Sequence, residues 1–224
     1  MALILNIDTS TQTASVCLCE NGKPLYLLQN DAQKEHAAWL HVAVYEMIKA
    51  SGYEMKSLNA VAVTEGPGSY TGLRVGMASA KGFCFGLGIP LITESTLKMM
   101  AFAASRQLPQ SSALLCPMID ARRMEVYTAL YKMDMEEAMP PLAIVLDENS
   151  FASELSSQKI FFFGSGAAKW EKISASTRAE ATKIQYNASY LGILSYQKFI
   201  NHQLTDIVYS QPAYIKEFHS YIRK

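Results

Sequence analysis

The chain has no excess of charge of either sign and no long apolar run. Lys plus Arg and Asp plus Glu each total 20 among 224 residues, so the formal net charge is zero. Independent, tight binding of nucleic acid depends mainly on neutralising phosphates with Lys and Arg, so this balance argues against it. No segment approaches the ~20 uninterrupted apolar residues of a membrane span, and the opening segment 1–7 lacks a secretion signal's basic lead. We therefore expect a soluble, cytoplasmic protein that does not contact a membrane.

Cysteine is scarce, and its spacing excludes the common metal and redox motifs. The four cysteines form no Cys-x-x-Cys pair, and they are Cys17, Cys19, Cys84 and Cys116. Cys17 and Cys19 share one face of a predicted strand, but no second pair or nearby histidine completes a metal site. We expect buried, reduced thiols.

Histidine is equally scarce. His36 and His41 are five residues apart, which is about 140° around a helix, so one metal ion cannot easily bridge them. His202 and His219 have no histidine at ligand spacing. The sequence therefore predicts no metal site.

The sequence is rich in apolar residues, which make up half of it, and it has one conspicuous glycine segment. Residues 66–76 read Gly-Pro-Gly-Ser-Tyr-Thr-Gly-Leu-Arg-Val-Gly, after an apolar run at 58–64 that predicts a buried strand and before a small, apolar segment that predicts a helix. A strand, a glycine turn and a helix N-terminus together can bind an anion. A tight turn with no ligand is an equally good interpretation.

Neither standard nucleotide motif fits this segment. A P-loop closes with Gly-Lys-Ser/Thr, whereas Gly72 is followed by Leu73 and Arg74. The dinucleotide fingerprint needs its third glycine three residues after the second, whereas Gly72 comes four residues after Gly68. The segment is therefore neither a P-loop nor a good dinucleotide site.

An internal repeat predicts the fold. Residues 3–8 form an apolar strand that ends in Ile-Asp, and strands at 14–19 and 25–28 follow it. Residues 114–120 again end in Ile-Asp, with a returning strand at 125–131. A further parallel links the strand running into Gly66 and Gly68 with the strand running into Gly164 and Gly166. Two halves of similar order predict a duplicated α/β fold.

The two halves meet near residues 105–112, where polar residues and Pro109 interrupt a helical segment at 96–104. We predict an N-terminal lobe at residues 1–104 and a C-terminal lobe at 105–224. The closing segment 212–218 is a candidate to return to the first lobe.

These features resemble two nested families. A strand with a terminal acid and a hairpin in each half resembles the superfamily of actin, sugar kinases and heat-shock-70 proteins, whose two lobes enclose ATP. Within it, four segments resemble the TsaB (YeaZ) family: Ile-Asp-Thr-Ser at 7–10, the glycine segment, Met-Ile-Asp-Ala-Arg-Arg-Met-Glu-Val-Tyr at 118–127 and Pro-Ala-Tyr at 212–214. The resemblance implies a duplicated actin-like ATPase (ribonuclease H-like) fold, with a mixed sheet flanked by helices in each lobe.

The resemblance also implies a function and partners. In that family the protein is a non-catalytic scaffold and activator in making threonylcarbamoyladenosine beside the tRNA anticodon, in tRNAs that read codons starting with A. Its partners are the catalytic paralogue TsaD, which transfers the threonylcarbamoyl group, and the ATPase TsaE, and it meets tRNA through the complex. The implied free state is a homodimer, and the implied cofactor is at most ATP or ADP at the subunit interface.

Two acids and two glycines are candidates for nucleotide binding. Asp8, with Ser10 beside it, and Asp120 are the acids that a phosphotransferase of the superfamily uses to hold hydrated magnesium, and Gly164 and Gly166 form the second glycine turn. The alternative is that Asp8 caps the turn at Ser10 and Asp120 caps the turn at Arg122, which is the interpretation that we favour.

The helix at 37–48 is apolar around most of its circumference, so it is buried on two sides, either by the chain itself or by a partner. The family resemblance favours a partner. We predict contacts from this helix and from the glycine segment beside it. The predicted contact residues are Trp39, Leu40, Ala43, Met47, Gly66, Gly68, Tyr70, Thr71 and Arg74.

Two other functions compete with the accessory role. The first is an actin-superfamily phosphotransferase or ATPase that uses Asp8 and Asp120. The second is a peptidase, for which the sequence shows no Ser/His/Asp or zinc-histidine arrangement at a convincing spacing. We predict no catalytic residues of the chain's own.

Overall fold

The computed structural model describes residues 1–31 and 35–215. His219 and the last part of the predicted returning segment, 216–218, lie outside these residues. The elements of the first half are β1 (Leu3–Asp8), β2 (Ala14–Glu20), β3 (Lys23–Asn30), α1 (His36–Ser51), β4 (Ala60–Gly66), α2 (Tyr70–Leu87), β5 (Leu91–Ser95) and α3 (Thr96–Gln107). Those of the second half are β6 (Leu114–Asp120), β7 (Glu125–Tyr131), β8 (Glu137–Val145), α4 (Ala152–Ser157), β9 (Ile160–Phe163), α5 (Ala167–Glu171), β10 (Ala179–Ala181) and α6 (Ala188–Ile200).

The two sheets have the same topology. The first has the order β3-β2-β1-β4-β5 and the second β8-β7-β6-β9-β10, which is the same order element for element. In each sheet the first three strands are antiparallel, and the last two add in parallel. The predicted duplicated, actin-like α/β fold is confirmed. We call the first sheet with α1 and α2 the first lobe, and the second sheet with α4 and α5 the second lobe.

Strand alternation explains the layers of the first lobe. Leu3, Leu5 and Ile7 of β1 point to the face that α1 and α2 cover, where Leu40 and Met77 join the same apolar cluster. Ile4 points to the opposite face, which α6 covers. Both faces of the sheet are buried, so its central strands are apolar at nearly every position.

The second sheet is layered in the same way. Leu115 and Phe161 face α3 in one apolar cluster. Phe162 faces the opposite cluster, which holds Leu155 of α4 and Trp170 of α5. The order of layers is therefore α1 and α2, the first sheet, α3 and α6, the second sheet, then α4 and α5.

The two helices between the sheets tie the halves of the chain together. α6 comes from the second half but packs on the first sheet, where Leu191 and Leu194 meet Ile4. Inside this contact the Ser195 hydroxyl donates a hydrogen bond of 2.6 Å to Oδ1 of Asn6, a buried polar pair. α3 contributes to apolar clusters on both sheets. The predicted boundary between residues 104 and 105 falls in its last turn.

The chain after α6 crosses the first lobe as an extended strap, residues 203–215. Thr205 pairs with Leu91 of β5, and Lys81 of α2 donates hydrogen bonds to the carbonyls of Val208 and Ser210. The amide of Ala213 then donates to the Glu65 carbonyl at 2.7 Å. The described part of the closing segment thus contacts the first lobe.

None of the helices in residues 1–31 and 35–215 combines the length and apolar character that crossing a membrane requires.

Candidate functional site

The two lobes face each other across an interlobe cleft of about 660 Å³. Its lining comes from the turns after β1, β4 and β6 and from the end of the strap, including Ser10, Tyr70, Asp120, Arg122 and Tyr214. In open α/β sheets, ligands bind outside the carboxyl ends of such strands. The cleft is therefore the strongest candidate for a ligand-binding site.

Asp8 ends β1 but does not line the cleft. It is 1% exposed, and its Oδ1 accepts hydrogen bonds from the Ser10 amide at 3.0 Å, the Ser10 hydroxyl at 2.6 Å and the Thr64 hydroxyl at 2.7 Å. Burial raises the pKa of the Asp8 carboxyl, although the hydrogen bonds from Ser10 and Thr64 oppose this shift. The two hydrogen bonds from Ser10 are those of the turn-capping alternative, and the bond from Thr64 on β4 adds a third contact within the same lobe.

Asp120, the counterpart of Asp8, is exposed at the cleft. Its Oδ1 accepts hydrogen bonds from the Arg122 amide and from the ammonium of Lys169, both at 2.6 Å. Partial burial acts to raise the pKa of this carboxyl, but Lys169 and the Arg122 amide outweigh it and lower the pKa. The turn-capping bond is again present, and Asp120 is ionised at neutral pH.

The glycine segment is packed by the chain's own backbone. A Cβ at Gly68 would overlap the Ser10 carbonyl oxygen, and one at Gly72 would overlap that of Thr9. The same turn is tied to the segment by two hydrogen bonds, from the Ser69 amide to Ser10 and from the Thr9 hydroxyl to Gly72, both at 2.7 Å. Glycine is needed here because the β1–β2 turn lies directly on the start of α2, and this need does not depend on a phosphate.

Gly164 and Gly166 also pack against their own lobe. Gly164 has a φ of 95°, and a Cβ at Gly166 would lie 2.7 Å from the Cγ1 of Val126. Neither glycine lines the cleft. Ser165 between them accepts a hydrogen bond of 3.0 Å from the Asp120 amide. The structure thus brings this turn to Asp120, while nucleotide contact by Asp8, Ser10, Asp120, Gly164 and Gly166 stays a prediction.

Three of the predicted partner contacts require a correction. Leu40, Ala43 and Met47 are 0%, 4% and 1% exposed and belong to the core of the first lobe. Their i, i+3, i+7 spacing marks the stripe by which a helix faces its own domain. Their burial leaves them unavailable to a partner, so these three residues are removed from the predicted contact set.

The other predicted contacts lie at or near the surface. Tyr70, Thr71 and Arg74 are exposed at the start of α2, whereas Trp39 and Gly68 are half-buried and Gly66 is buried. The Arg74 guanidinium lies over the Tyr70 ring, with Cζ 4.0 Å from its centre. Whether these residues touch a partner stays a prediction.

Several groups of the site region were not expected from the sequence. Arg74 donates a hydrogen bond of 3.1 Å to the Tyr214 hydroxyl, and the Tyr214 ring lies 5.4 Å from that of Tyr70. Thr64 donates a hydrogen bond to Asp8, and Lys169 donates one to Asp120. Only the Pro-Ala-Tyr sequence at 212–214 offered a signal, because the other contacts join positions far apart in the chain.

His36 and His41 take structural positions. His36 is buried, and its Nε2 donates to the Thr11 carbonyl at 3.2 Å. His41 Nε2 lies 3.1 Å from the Ser79 hydroxyl, within α1 and α2. A Ser/His/Asp arrangement needs an acid behind the imidazole, and in the described parts of the chain no acid is hydrogen-bonded to His41. The described residues also contain no group of three or more potential metal ligands.

The cysteines are free and buried, as predicted. The sulfurs of Cys17 and Cys19 lie 3.5 Å apart, and this contact together with burial raises the pKa of the Cys17 thiol. Burial raises the pKa of Cys84 to about 11. Thiols of this kind are poor nucleophiles at neutral pH.

Comparison with known proteins identifies the family. The family model of TsaD, tRNA N6-adenosine threonylcarbamoyltransferase, matches residues 29–217. The tRNA threonylcarbamoyladenosine biosynthesis protein TsaB of Haemophilus influenzae is 28% identical over 222 residues, 95% of this chain and 93% of that protein. TsaB of Escherichia coli K12 is 37% identical over 131 residues, 58% of this chain, and that match spans about half (55%) of the relative's length.

A solved structure agrees with this placement at the level of the fold. A Pseudomonas aeruginosa protein, described as similar to the peptidase YeaZ, superposes with a TM-score of 0.81 at 23% identity, covering 96% of this chain and 100% of that one. Since the TsaD model covers most of the chain and the TsaB relatives match it, the resemblance drawn from the sequence is confirmed. The chain therefore belongs to the family of TsaD, tRNA N6-adenosine threonylcarbamoyltransferase, and within it resembles the TsaB (YeaZ) proteins.

Proposed function

We propose that this chain is a non-catalytic partner subunit in tRNA threonylcarbamoyladenosine biosynthesis, paired with a TsaD-type transferase and working with the ATPase TsaE. The names of its TsaB relatives support the pathway, and the match to the TsaD model supports a partner of the same fold. The observation that carries the non-catalytic role is Asp8, because all three of its hydrogen bonds come from inside its own lobe.

The outer face of α1 and α2 supports the pairing surface. Val42 and Tyr45 of α1 are 60% and 63% exposed, and Phe85 of α2 is 86% exposed. The exposed side of α2 also carries the small residues Ala78, Gly82 and Gly86, and a Cβ at Gly82 would have no atom within 4 Å. A small-residue surface flanked by large apolar side chains lets a partner helix approach closely.

The shared fold favours a TsaD-type protein as the occupant of this surface. A paralogue with the same topology has helices that correspond to α1 and α2, so two helix pairs can meet about an approximate two-fold axis. A second copy of the chain can bind to the same surface and form a homodimer. The transferase then takes the place of that second copy. tRNA is then met through the complex, in keeping with the chain's zero net charge.

Substitutions on α1 and α2 test the pairing. Val42→Glu and Phe85→Glu place charges on the proposed surface and should abolish co-purification with the TsaD paralogue from the same genome while the fold is kept. Val145→Glu is the matched control, since Val145 is 68% exposed on β8 of the second lobe. Ala43→Glu is unsuitable, because it puts a charge into the core. A complex that survives both first-lobe substitutions would refute this surface.

A mixing assay tests the function itself. The paralogue, TsaE, ATP, threonylcarbamoyl adenylate and tRNA are combined with and without this chain, and modified tRNA is measured. Modification should depend on the chain, which alone should show negligible ATP turnover. Equal modification after its omission would show that the proposed function is wrong.

The exposed rim of the cleft favours a second candidate, a nucleotide-dependent phosphotransferase or an ATP/ADP site at the subunit junction. Asp120 and Arg122 line about 660 Å³ of open cleft. This candidate predicts ATP hydrolysis by the isolated chain that Asp8→Ala abolishes, and nucleotide binding that Asp120→Asn alters. Hydrolysis indistinguishable from a protein-free blank would eliminate the enzyme.

A further inference from the structure

A second pocket lies away from the interlobe cleft and shares no lining residue with it. It has a volume of about 480 Å³, between α3, α6 and the turn joining β7 to β8. Pockets of this size hold small organic molecules. We call it the α3–α6 pocket.

One face of α3 gives this pocket its charge. α3 is buried over most of its length between the sheets, and Lys98 and Arg106 are two of the few positions where it reaches the surface. With Phe102 between them they stand at i, i+4 and i+8, so they form one stripe of cation, aromatic ring and cation. The Arg106 guanidinium lies over that ring, with Cζ 4.9 Å from its centre.

Neither cation of the stripe forms an ion pair within the described part of the chain. Among residues 1–31 and 35–215 no carboxylate lies within ion-pair distance of Lys98 or Arg106. The buried acid nearest to them along the chain, Glu94, is already neutralised by Lys198 at 3.0 Å. With Asp134 as the other lining acid, the pocket keeps one positive charge in excess.

The remaining lining suits a partly apolar ligand. Phe102, Met133 and Leu194 are only 5%, 8% and 6% exposed, so they offer the ligand a small apolar surface, and the amide side chains of Gln197 and Asn201 offer hydrogen bonds beside it. An unpaired ammonium and guanidinium bind oxyanions best, because charge-assisted hydrogen bonds are about twice as strong as neutral ones.

We propose that the α3–α6 pocket binds a small organic anion, whose phosphate or carboxylate head group pairs with Lys98 and Arg106 and whose apolar part lies against Phe102. This site is independent of the partner surface on α1 and α2 and of the interlobe cleft. Phosphate and carboxylate share the oxyanion chemistry, so the experiment separates them.

Titrations followed by amide NMR use phenyl phosphate, phenylacetate and benzyl alcohol, which share an aromatic ring and differ in the head group. We expect saturable shifts in α3 and α6 with one or both anions, and the better anion identifies the head group. Benzyl alcohol should bind at least tenfold more weakly. Equal binding of the alcohol, or shifts that map to the cleft, would overturn the proposal.

Variants locate the site. Lys98→Gln and Arg106→Gln should each weaken anion binding about tenfold, which corresponds to one charge-assisted hydrogen bond, and Lys98→Arg should retain it. Lys172→Gln, at an exposed cation of the second lobe, and Arg122→Gln, in the cleft, are the controls. Unchanged thermal unfolding confirms that the variants fold. Unchanged affinity in the Lys98→Gln, Arg106→Gln double variant, or loss in Arg122→Gln instead, would refute the site.

Discussion

The two lobes share every strand pairing, yet their covering helices differ greatly. The first lobe is covered by α1 and α2, of 16 and 18 residues, whereas α4 and α5 of the second have 6 and 5. Large aromatic rings supply the apolar packing on this side of the second sheet. Phe151, Phe162 and Trp170 pack edge to face or tilted, with their ring centres 5.4 Å apart. The strand order is therefore the same in both sheets, whereas the lengths of the covering helices differ.

The strand-end acids diverge in the same way. Asp8 is sealed under its turn with a raised pKa, and Asp120 is open to the cleft with a lowered one. Both come after equivalent strands and both accept a hydrogen bond from the amide two residues on. Equivalent positions in a duplicated fold can thus carry opposite electrostatics, because the environment and not the residue type sets the pKa.

The glycine turns should give the largest difference between the lobes. In Gly72→Ala the new Cβ meets backbone, which cannot move aside, so we expect a loss of about 3 kcal/mol in the free energy of unfolding. In Gly166→Ala it meets the buried Val126 Cγ1 at 2.7 Å and the Met118 Cβ at 3.0 Å, whereas at Gly72 it overlaps a carbonyl oxygen, so we expect a smaller loss of about 2 kcal/mol. Denaturant unfolding measures both.

Gly82→Ala is the matched control for these substitutions. Its Cβ would enter open space on α2, so alanine should stabilise the helix by about 0.5–1 kcal/mol. A cost at Gly72 no greater than that at Gly166 would contradict the claim that the first-lobe turn lies on rigid backbone.

The two acids should respond to pH with opposite signs. Since folding raises the pKa of Asp8, its contribution is most favourable below pH ~4 and is lost as pH rises from there through the folded pKa. Asp8→Asn keeps the accepting Oδ1 and removes the buried charge, so it should raise the melting temperature at pH 7 by a few degrees, for about 1 kcal/mol.

Asp120→Asn is the opposite case. The folded pKa of Asp120 is lowered, so its stabilisation is present above pH ~4 and disappears as the pH falls through the folded value. Because its side chain is 43% exposed, we expect a loss of only a few tenths of a kcal/mol at pH 7. Melting curves of both variants from acidic to neutral pH measure the signs, and parallel curves would contradict the comparison.

The smallest difference concerns the strap, which crosses only the first lobe. Lys81→Met keeps the apolar stem but removes the hydrogen bonds to Val208 and Ser210, so amide exchange at Ala213 should accelerate, with a loss of about 1 kcal/mol. Lys169→Met, which releases Asp120 in the second lobe, should leave that exchange unchanged. Equal exchange in both variants would show that Lys81 does not hold the strap.

Much of the fold was predictable because it depends on local sequence patterns, namely apolar periodicity and turn residues. The apolar strands that end at Asp8 and Asp120 and the paired glycine turns all lie where periodicity and turn chemistry put them. The packing of α6 on the first sheet was not predictable, because it depends on contacts such as Asn6 with Ser195, far apart in sequence.

The site was less predictable than the fold. For α1, the spacing of Leu40, Ala43 and Met47 already indicates the core stripe, and overlooking this led to the wrong choice of partner-facing residues. The burial of Asp8 had no local signal, since it depends on Thr64 from another strand. The stripe of Lys98, Phe102 and Arg106 is visible in the sequence, but only the structure shows that no described carboxylate forms an ion pair with either cation.

The position of α6 also has a consequence for synthesis of the chain. The first sheet is complete at Ser95, yet the helix that covers one of its faces begins 93 positions later, at Ala188. At about 5–20 residues per second, ribosomal elongation leaves that apolar face without its covering helix for roughly 5–20 s. Until its last helix emerges, the nascent chain therefore exposes the part of that apolar face that α3 does not cover.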